Sequence, residues 1–243
     1  MLLKCAPSCQ SCDQLNYATR CPFDKEAAPR AWDEGDLNKM FAHIVKEYPT
    51  TEVLSRDPWV IIIDDFLSEE ECTRLIALGG ELGYKRSEDV GKTNFDGTTE
   101  SVQSKQRTST NAWCTDLCFE DPLSKQVHQK LDDLTLLPKE NGEYLQLLKY
   151  EVGQFYGPHH DYIDMDDDRP QGVRILTVFL YLNDVDAGGG TNFPLLDLTV
   201  MPKRGRVLVW PSVLDHKPNM KDRRTEHQAL PVEKGIKYGA NGM

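Results

Sequence analysis

The second half of the chain is a series of short apolar segments, and this pattern constrains the fold more than any other feature of the sequence. Turns rich in glycine, proline and aspartate separate the segments at short intervals, and each segment has the length of a β-strand. The segments lie at residues 144–152, 174–182, 196–201, 205–210, 224–231 and 236–240. Closely spaced strands are typical of an all-β sandwich or a jelly roll. We therefore expect a mainly β core.

Helices are expected to support this core, because apolar residues at helical spacing precede the strands. Ser68 and Glu71 have the spacing of a capping box at the start of a helix. A buried strand at 59–66 comes before this helix, and a second helix is predicted at 122–134. Between the two helices, residues 87–111 are polar and rich in serine and threonine. They are predicted to form a long mobile loop.

Composition divides the chain into three regions. Residues 1–22 are rich in cysteine and too few to build a hydrophobic core of their own. Residues 23–57 are charged and contain several prolines, and they are interpreted as a linker with an accessory helix over 36–48. Residues 58–243 then form the main domain.

The chain is acidic, with 28 lysines and arginines, 39 aspartates and glutamates, and a net charge of −11. Phosphate contacts require basic side chains, so we expect no nucleic-acid partner. Residues 1–150 hold most of the excess acid. This acidity keeps the protein soluble or, alternatively, gives a surface that attracts basic peptides. No run approaches the roughly 20 apolar residues that span a bilayer, so no membrane span is predicted.

Two histidines and one aspartate have the spacing of a metal site. His159 and Asp161 are two residues apart, and side chains at this spacing in a strand point to the same face. His227 is the best third ligand, in the segment 224–231. Two histidines and a carboxylate on one side of a metal are typical of non-haem Fe(II) oxygenases. Taken alone the triad is a weak signal, because His-x-Asp pairs are common.

Lys237 follows His227 by ten residues, on a segment that can return alongside the metal. A buried lysine needs an anionic partner, because an unpaired buried charge is very costly. A dicarboxylate cosubstrate would provide that partner.

The motifs around these residues form an order that chance does not explain. They are Arg107-Thr108-Ser109, Tyr150-x-x-Gly153-x-x-Tyr156-x-x-His159-x-Asp161, Arg174-x-x-Thr177, Gly188-Gly189-Gly190-Thr191-Asn192-Phe193-Pro194, Gly205 to Trp210, and His227 to Lys237. With them, residues 59–242 resemble the catalytic domain of the prolyl 4-hydroxylases, which are 2-oxoglutarate- and Fe(II)-dependent dioxygenases. The resemblance implies a double-stranded β-helix, or jelly roll, with the iron and cosubstrate core at about 143–243.

The resemblance also implies a reaction and a set of residues for it. The enzyme would hydroxylate peptidyl proline at C4 in a proline-containing peptide or protein, and would release succinate and CO2. Its cofactors would be Fe(II), 2-oxoglutarate, O2 and ascorbate. The residues implied are His159, Asp161 and His227 for Fe(II), Lys237 for the distal carboxylate of 2-oxoglutarate, and Tyr150, Thr191 and Tyr181 for further contacts with the cosubstrate.

Three residues lie where the family's peptide-facing loop is expected, namely Arg107, Ser109 and Trp113. Core packing is the alternative for Trp113 and Tyr181, and a surface ion pair is the alternative for Arg107. Two other functions stay open. The same cofactors could act on another side chain or on a small molecule, or the chain could be an inactive jelly-roll binding module.

The seven cysteines cannot all pair within the chain, because their number is odd. Cys5-x-x-x-Cys9-x-x-Cys12 resembles the C-terminal half of the six-cysteine ShK-toxin-like module that accompanies some prolyl 4-hydroxylases. With Cys21, these residues could instead bind zinc.

The remaining cysteines and the family together suggest a compartment. Cys114 and Cys118 could pair as a local disulfide, and Cys72 is expected to be a small buried hydrophobe. Clustered cysteines favour an oxidising compartment, and the family implies the endoplasmic reticulum lumen or the secretory pathway. Residues 1–4 show no signal peptide, so we expect the chain to begin inside a longer protein.

Overall fold

The computed structural model describes residues 30–93, 99–166 and 172–242. The cysteine-rich region 1–22, with the module it resembles, lies outside the described residues. The α-helices are α1 (Asp36–Glu47), α2 (Glu69–Leu82), α3 (Asp116–Glu120) and α4 (Pro122–Thr135).

The strands pair antiparallel, and short 3-10 helices occur in some of the connections between them. The strands are β1 (Thr51–Arg56), β2 (Trp59–Ile63), β3 (Lys85–Arg86), β4 (Asp89–Thr93), β5 (Thr99–Val102), β6 (Thr110–Trp113), β7 (Gln146–Tyr150), β8 (Tyr156–His159), β9 (Leu176–Tyr181), β10 (Ala187–Gly188), β11 (Thr191–Phe193), β12 (Leu198–Val200), β13 (Val207–Pro211), β14 (Val213–Leu214), β15 (Lys217–Lys221), β16 (His227–Ala229), β17 (Val232–Lys234) and β18 (Lys237–Gly242). The main sheet has the order β1-β2-β13-β9-β18-β7-β6-β3, and a smaller sheet has the order β12-β11-β16-β8. The pairs β10–β17, β14–β15 and β4–β5 complete the architecture.

A hydrophobic layer joins the main sheet to the smaller one. Strands β2, β9 and β13 are buried along their whole length, because both faces of the main sheet are covered. Alternate residues of these strands point to opposite faces of the main sheet. Ile62 and Phe179 pack with Phe193 of the smaller sheet, whereas Ile61 and Leu180 pack in the cluster that includes the helices. The predicted mainly β jelly roll with supporting helices is confirmed.

The predicted helices are present, and their start signals explain their positions. Phe41 of α1 stacks on Trp59 of β2 with ring centroids 5.3 Å apart, so this helix belongs to the packed core. At the start of α2, the Ser68 hydroxyl accepts from the Glu71 amide, and the Glu71 carboxylate accepts from the Ser68 amide. No helix within the described ranges combines the length and the apolar character that crossing a membrane requires.

One prediction from the sequence is wrong in detail, and one predicted boundary does not coincide with the edge of the main sheet. Residues 87–111, predicted as a loop, contain the β4–β5 hairpin and the start of β6. These segments are polar, and hydrophobic periodicity cannot mark a strand that lacks an apolar face. Strand β1 lies within the predicted linker 23–57 but pairs with β2. The main sheet therefore begins before residue 58, and the division into domains stays a prediction.

A disulfide joins Cys114 to Cys118, as the sequence suggested. Cys114 directly follows β6 and Cys118 lies in α3, so the bridge connects a strand to a helix. Cys72 of α2 is a free and fully buried thiol. It fills the core as a small apolar side chain.

Candidate active site

Three side chains that could hold a metal ion meet at one end of the smaller sheet. His159 of β8 lies directly opposite His227 of β16, and Asp161 follows two residues after His159. A carboxylate oxygen of Asp161 lies 3.7 Å from Nε2 of His159, and the other lies 3.5 Å from Nε2 of His227. One ligand atom from each residue lies within 4.8 Å of the others. The structure thus brings together the three residues that the sequence singled out.

Backbone carbonyls set the tautomer of both imidazoles. Nδ1 of His159 donates to the Gly157 carbonyl at 2.9 Å, and Nδ1 of His227 donates to the Thr225 carbonyl at 3.0 Å. A carbonyl oxygen can only accept, so each Nδ1 carries a proton, and in the neutral tautomer that this selects the lone pair is on Nε2. Both Nε2 atoms are therefore ready to bind a metal ion.

The protonation states of His159 and Asp161 also suit a metal. Burial and then the neighbouring His227 lower the pKa of His159, so its ring is neutral. Burial raises the pKa of Asp161, but the two imidazoles and the hydrogen bond from Thr177 outweigh this effect and lower that pKa. The Thr177 hydroxyl donates to Asp161 Oδ2 at 2.6 Å. Neutral imidazoles and an ionised carboxylate are the forms that ligate metals.

Aromatic rings enclose the two histidines. The Tyr156 ring stacks on His159 at a centroid distance of 3.6 Å. The rings of Trp210 and His227 meet in an edge-to-face arrangement with centroids 4.7 Å apart, and the Phe193 ring centroid lies 5.7 Å from that of the same imidazole. This packing restricts the rotation of both imidazoles and keeps the site dry on the core side.

Lys237 is a buried cation without a polar partner. It faces Tyr150 across the β7–β18 pair and is fully buried. Its Nζ has no hydrogen-bond acceptor in the described structure, and the rings of Tyr150, Phe179 and Tyr181 surround it at 5.1–5.4 Å. Burial lowers the pKa of Lys237 to about 7. A carboxylate bound here would satisfy the ammonium, so the pocket fits an anionic cosubstrate.

Glycines bring Thr191 to this pocket. Gly188 and Gly189 have φ of +74° and +71°, which favour glycine, and a Cβ on Gly188 would lie 2.4 Å from the Pro231 carbonyl oxygen. The turn they form leads directly into β11, which begins at Thr191. Only glycine allows the chain to approach Pro231 so closely.

The predicted cosubstrate residues lie in two layers. Tyr150, Thr191 and Lys237 line a cleft of about 730 Å³ that also contains His159, Asp161 and His227. Tyr181 lies behind them, and its hydroxyl donates to Thr191 Oγ1 at 2.7 Å. Burial raises the pKa of Tyr181, so this hydroxyl stays protonated.

The three residues predicted to face a peptide are not equivalent. Arg107 lines the cleft, with its guanidinium 4.6 Å from the centroid of the Tyr156 ring. Trp113 also lines the cleft and is 41% exposed. Ser109 is fully buried, and its hydroxyl donates to Ser87 at 3.0 Å. Ser109 is therefore an interior residue.

Two further residues support the site, and the sequence had not predicted a role for either. Thr177 orients Asp161, and Arg174 lines the cleft while donating to both carboxylate oxygens of Glu143 at 2.7 and 3.0 Å. Both belong to the motif Arg174-x-x-Thr177. The sequence motif was therefore visible, but only the fold shows what each of its side chains contacts.

Sequence comparison connects the chain with named families. The family model described as the 2OG-Fe(II) oxygenase superfamily matches residues 145–243. Probable prolyl 4-hydroxylase 8 of Arabidopsis thaliana is 36% identical over 210 residues, covering 78% of this chain and 69% of the relative. Prolyl 4-hydroxylase 5 of the same plant is 34% identical over 211 residues, with the same shares of the two chains.

Solved structures show the same fold. A viral collagen prolyl hydroxylase from Paramecium Bursaria Chlorella virus-1, solved as a 2OG complex, has a TM-score of 0.59 and 28% identity, and the match covers 75% of this chain and 93% of that one. A prolyl hydroxylase from Trichoplax adhaerens, in complex with a hypoxia inducible factor peptide fragment, has a TM-score of 0.56 at 18% identity, with shares of 90% and 94%. At that identity, the second likeness concerns the fold alone.

Proposed function

Because the chain belongs to the prolyl 4-hydroxylases within the 2OG-Fe(II) oxygenase superfamily, we propose that it hydroxylates peptidyl proline at C4 and releases succinate and CO2. One observation carries the proposal. The ligand atoms of His159, Asp161 and His227 lie within 4.8 Å of one another in the cleft that Lys237 also lines. A metal ligand set and a buried cation for an anion thus occur in one cavity.

His159, Asp161 and His227 are the residues proposed to hold Fe(II). Bound iron and 2-oxoglutarate supply oxidation of a C–H bond by O2, coupled to loss of CO2 from the cosubstrate. The Gly157 and Thr225 carbonyls accept from Nδ1 of the two imidazoles and so leave Nε2 of each as the metal-binding atom, and the Thr177 hydroxyl orients Asp161. These contacts fix the ligand set before any metal binds.

The proposed 2-oxoglutarate pocket lies around Lys237, whose ammonium would pair with the distal carboxylate. Tyr150 and Thr191 would donate hydrogen bonds from the walls of the same cleft. Tyr181 would act one layer further back, since its hydroxyl holds that of Thr191. The aromatic rings around Lys237 keep water from the pocket.

A proline-containing peptide or protein is the proposed substrate. Trp113 offers an exposed ring at the cleft, and aromatic surfaces are well suited to proline-rich chains. Arg107 lies deeper, over Tyr156, where it would donate to the peptide backbone. Ser109 would act only by supporting the cleft from the interior.

The endoplasmic reticulum lumen or the secretory pathway is the proposed location. The Cys114–Cys118 disulfide supports it, because such bonds persist in oxidising compartments. Ascorbate is the reductant proposed to keep the iron in its Fe(II) state.

The function is tested by succinate release from the purified chain with Fe(II), ascorbate and 2-oxoglutarate, with and without a proline-rich peptide. The expected result is peptide-stimulated succinate and a peptide mass gain of one oxygen atom. Acid hydrolysis of the product should yield 4-hydroxyproline.

His159→Ala is the matched control, because it removes one proposed ligand from the folded cleft. This variant should form neither succinate nor hydroxylated peptide. Succinate without peptide stimulation would refute the peptide substrate, and a folded wild type without turnover would refute the proposed activity.

A further inference from the structure

Positive side chains surround the mouth of the cleft, although the chain as a whole has a net charge of −11. Lys85 and Arg86 of β3 line it and are exposed, and Arg107 lines it further in. Apart from the proposed ligand Asp161, Glu88 is the acidic side chain that the described lining contains. The local charge is therefore opposite in sign to the charge of the protein.

No described carboxylate neutralises the two exposed cations. The Arg86 guanidinium donates to the backbone carbonyls of Thr108 and Ser104, which fix its position and leave its charge uncompensated. The Lys85 side chain makes no hydrogen bond and no ion pair within the described structure, and the residue stands on a two-residue edge strand. The ammonium of Lys85 is therefore available to a ligand in the cleft.

The register of the main sheet relates Lys85 to the cosubstrate pocket. Lys85 lies opposite Asn111, Asn111 opposite Leu148, and Leu148 opposite Gly239. Directly opposed residues share a face of a sheet, and Lys237 shares it too, because it lies two residues from Gly239. Strand β3 is three strands from β18, which corresponds to about 14 Å at about 4.8 Å per strand.

This separation can be expressed in residues of a bound peptide. An extended or polyproline chain advances about 3.1–3.4 Å per residue. About four peptide residues therefore cover the distance between β18, which carries Lys237, and β3, which carries Lys85. The long side chain of Lys85 reduces the distance that the peptide must span. Trp113 stands on the same face between them, opposite Gln146.

We infer that Lys85 forms a subsite for a carboxylate of the substrate, so the preferred peptides carry an aspartate or glutamate a few residues from the target proline. The inference rests on the proposed function, because it names a substrate class for that cleft. It predicts a preference opposite to the attraction of basic peptides that the overall charge suggests. Complementary charge at the rim would speed association and select among partners.

The test uses peptides with one proline in a neutral sequence, in which an aspartate is moved through the positions on either side. Asparagine at the same position is the isosteric control. Affinity is measured by fluorescence anisotropy of labelled peptides with Mn(II) and 2-oxoglutarate, and hydroxylation by mass spectrometry. Aspartate at one or two positions should bind about fivefold more tightly than asparagine, and added salt should shrink the difference.

Charge reversal at the rim makes the test specific. In Lys85→Glu, the preference for aspartate should disappear and a lysine at the same peptide position should bind better. Lys46→Glu changes the net charge equally at an exposed position on α1, and it should leave the preference unchanged.

The possible outcomes separate the two proposals. Equal binding of the aspartate and asparagine peptides, or an unchanged preference in Lys85→Glu, would overturn the carboxylate subsite. Hydroxylation of every peptide without a charge preference would also overturn the carboxylate subsite, but it would support the proposed function. Charge-selective binding without hydroxylation of any peptide would support the subsite and refute the proposed activity.

Discussion

The Thr177 hydroxyl donates a 2.6 Å hydrogen bond to Asp161 Oδ2, and both groups are buried. This contact ties the only carboxylate of the metal triad to strand β9 of the main sheet, whereas the two histidines stand on the smaller sheet. The geometry of the triad therefore depends on how the two sheets pack. Partners that orient ligands in this way contribute substantially to metal affinity.

Replacing Thr177 with valine should weaken metal binding by about tenfold, because Asp161 loses its orienting donor while the volume of the side chain is kept. The measurement is a titration of the metal-free protein with Mn(II), followed by thermal shift. Thr177→Ser is the matched control and should bind the metal nearly as tightly as the wild type. Equal affinity in Thr177→Val and Thr177→Ser would show that the hydroxyl does not orient the ligand.

Tyr181→Phe should raise the KM for 2-oxoglutarate about three- to tenfold, because the variant leaves the Thr191 hydroxyl without its 2.7 Å donor. Metal affinity should not change, since within the described residues the Tyr181 hydroxyl bonds to Thr191 and to the Val200 carbonyl and not to the triad. Steady-state succinate formation measures the KM. A change in kcat alone, with the KM preserved, would contradict a role in positioning the cosubstrate.

The residues of the site differ in how far the sequence could predict them. His159, Asp161 and Lys237 stand in compact motifs, so their chemistry was visible before the fold. The role of Thr177 depends on the meeting of β9 with the turn after β8, which no local pattern encodes. Lys85 lies on a two-residue strand without hydrophobic periodicity, and its place at the cleft follows only from pairing with β6.

The lack of an apolar pattern also explains why the burial of Ser109 and the strands within residues 87–111 were not predicted. The resemblance to the prolyl 4-hydroxylases placed Ser109 in the expected peptide-facing loop. In the structure it is fully buried beside Ser87, because Ser87 and Ser109 are joined by a backbone hydrogen bond as well. Polar strands satisfied by one another leave no signature in the apolar pattern. The jelly roll was predictable because its strands are apolar.

Removing the disulfide with Cys114→Ala and Cys118→Ala should destabilise the fold by about 2 kcal/mol, as expected for a crosslink that closes so short a loop. The bridge connects the end of β6, which carries Trp113, to α3. Thermal unfolding should show a lower Tm in the double variant, and reductant should lower the wild type to the same value. Cys72→Ala is the control for an effect of the reductant at another site. The Cys72 thiol is already free, so it forms no bond that the reductant could break. An unchanged Tm in the double variant would mean that the bridge contributes no stability.

Lys237→Met should remove 2-oxoglutarate binding and yet stabilise the metal-free protein. Burial lowers the pKa of Lys237 to about 7 from the ordinary lysine value of 10.5. Between these two pH values the unfolded chain holds a proton that the folded chain has released, so stability of the wild type rises with pH across the window. Below this pH window, the folded wild type carries an unpaired buried ammonium, which destabilises it. Methionine has a similar length and no charge, so the variant avoids this destabilisation.

Urea unfolding of both proteins across this pH range measures the effect. The variant should be more stable by about 2 kcal/mol or more near pH 6, and the difference should shrink as the pH rises above about 7. Lys149→Met, on the neighbouring strand β7 and paired with Glu151, is the matched control and should show no such dependence. With Mn(II) present, 2-oxoglutarate should raise the Tm of the wild type but not of Lys237→Met. A variant less stable than the wild type at every pH would show that the ammonium is satisfied without the cosubstrate.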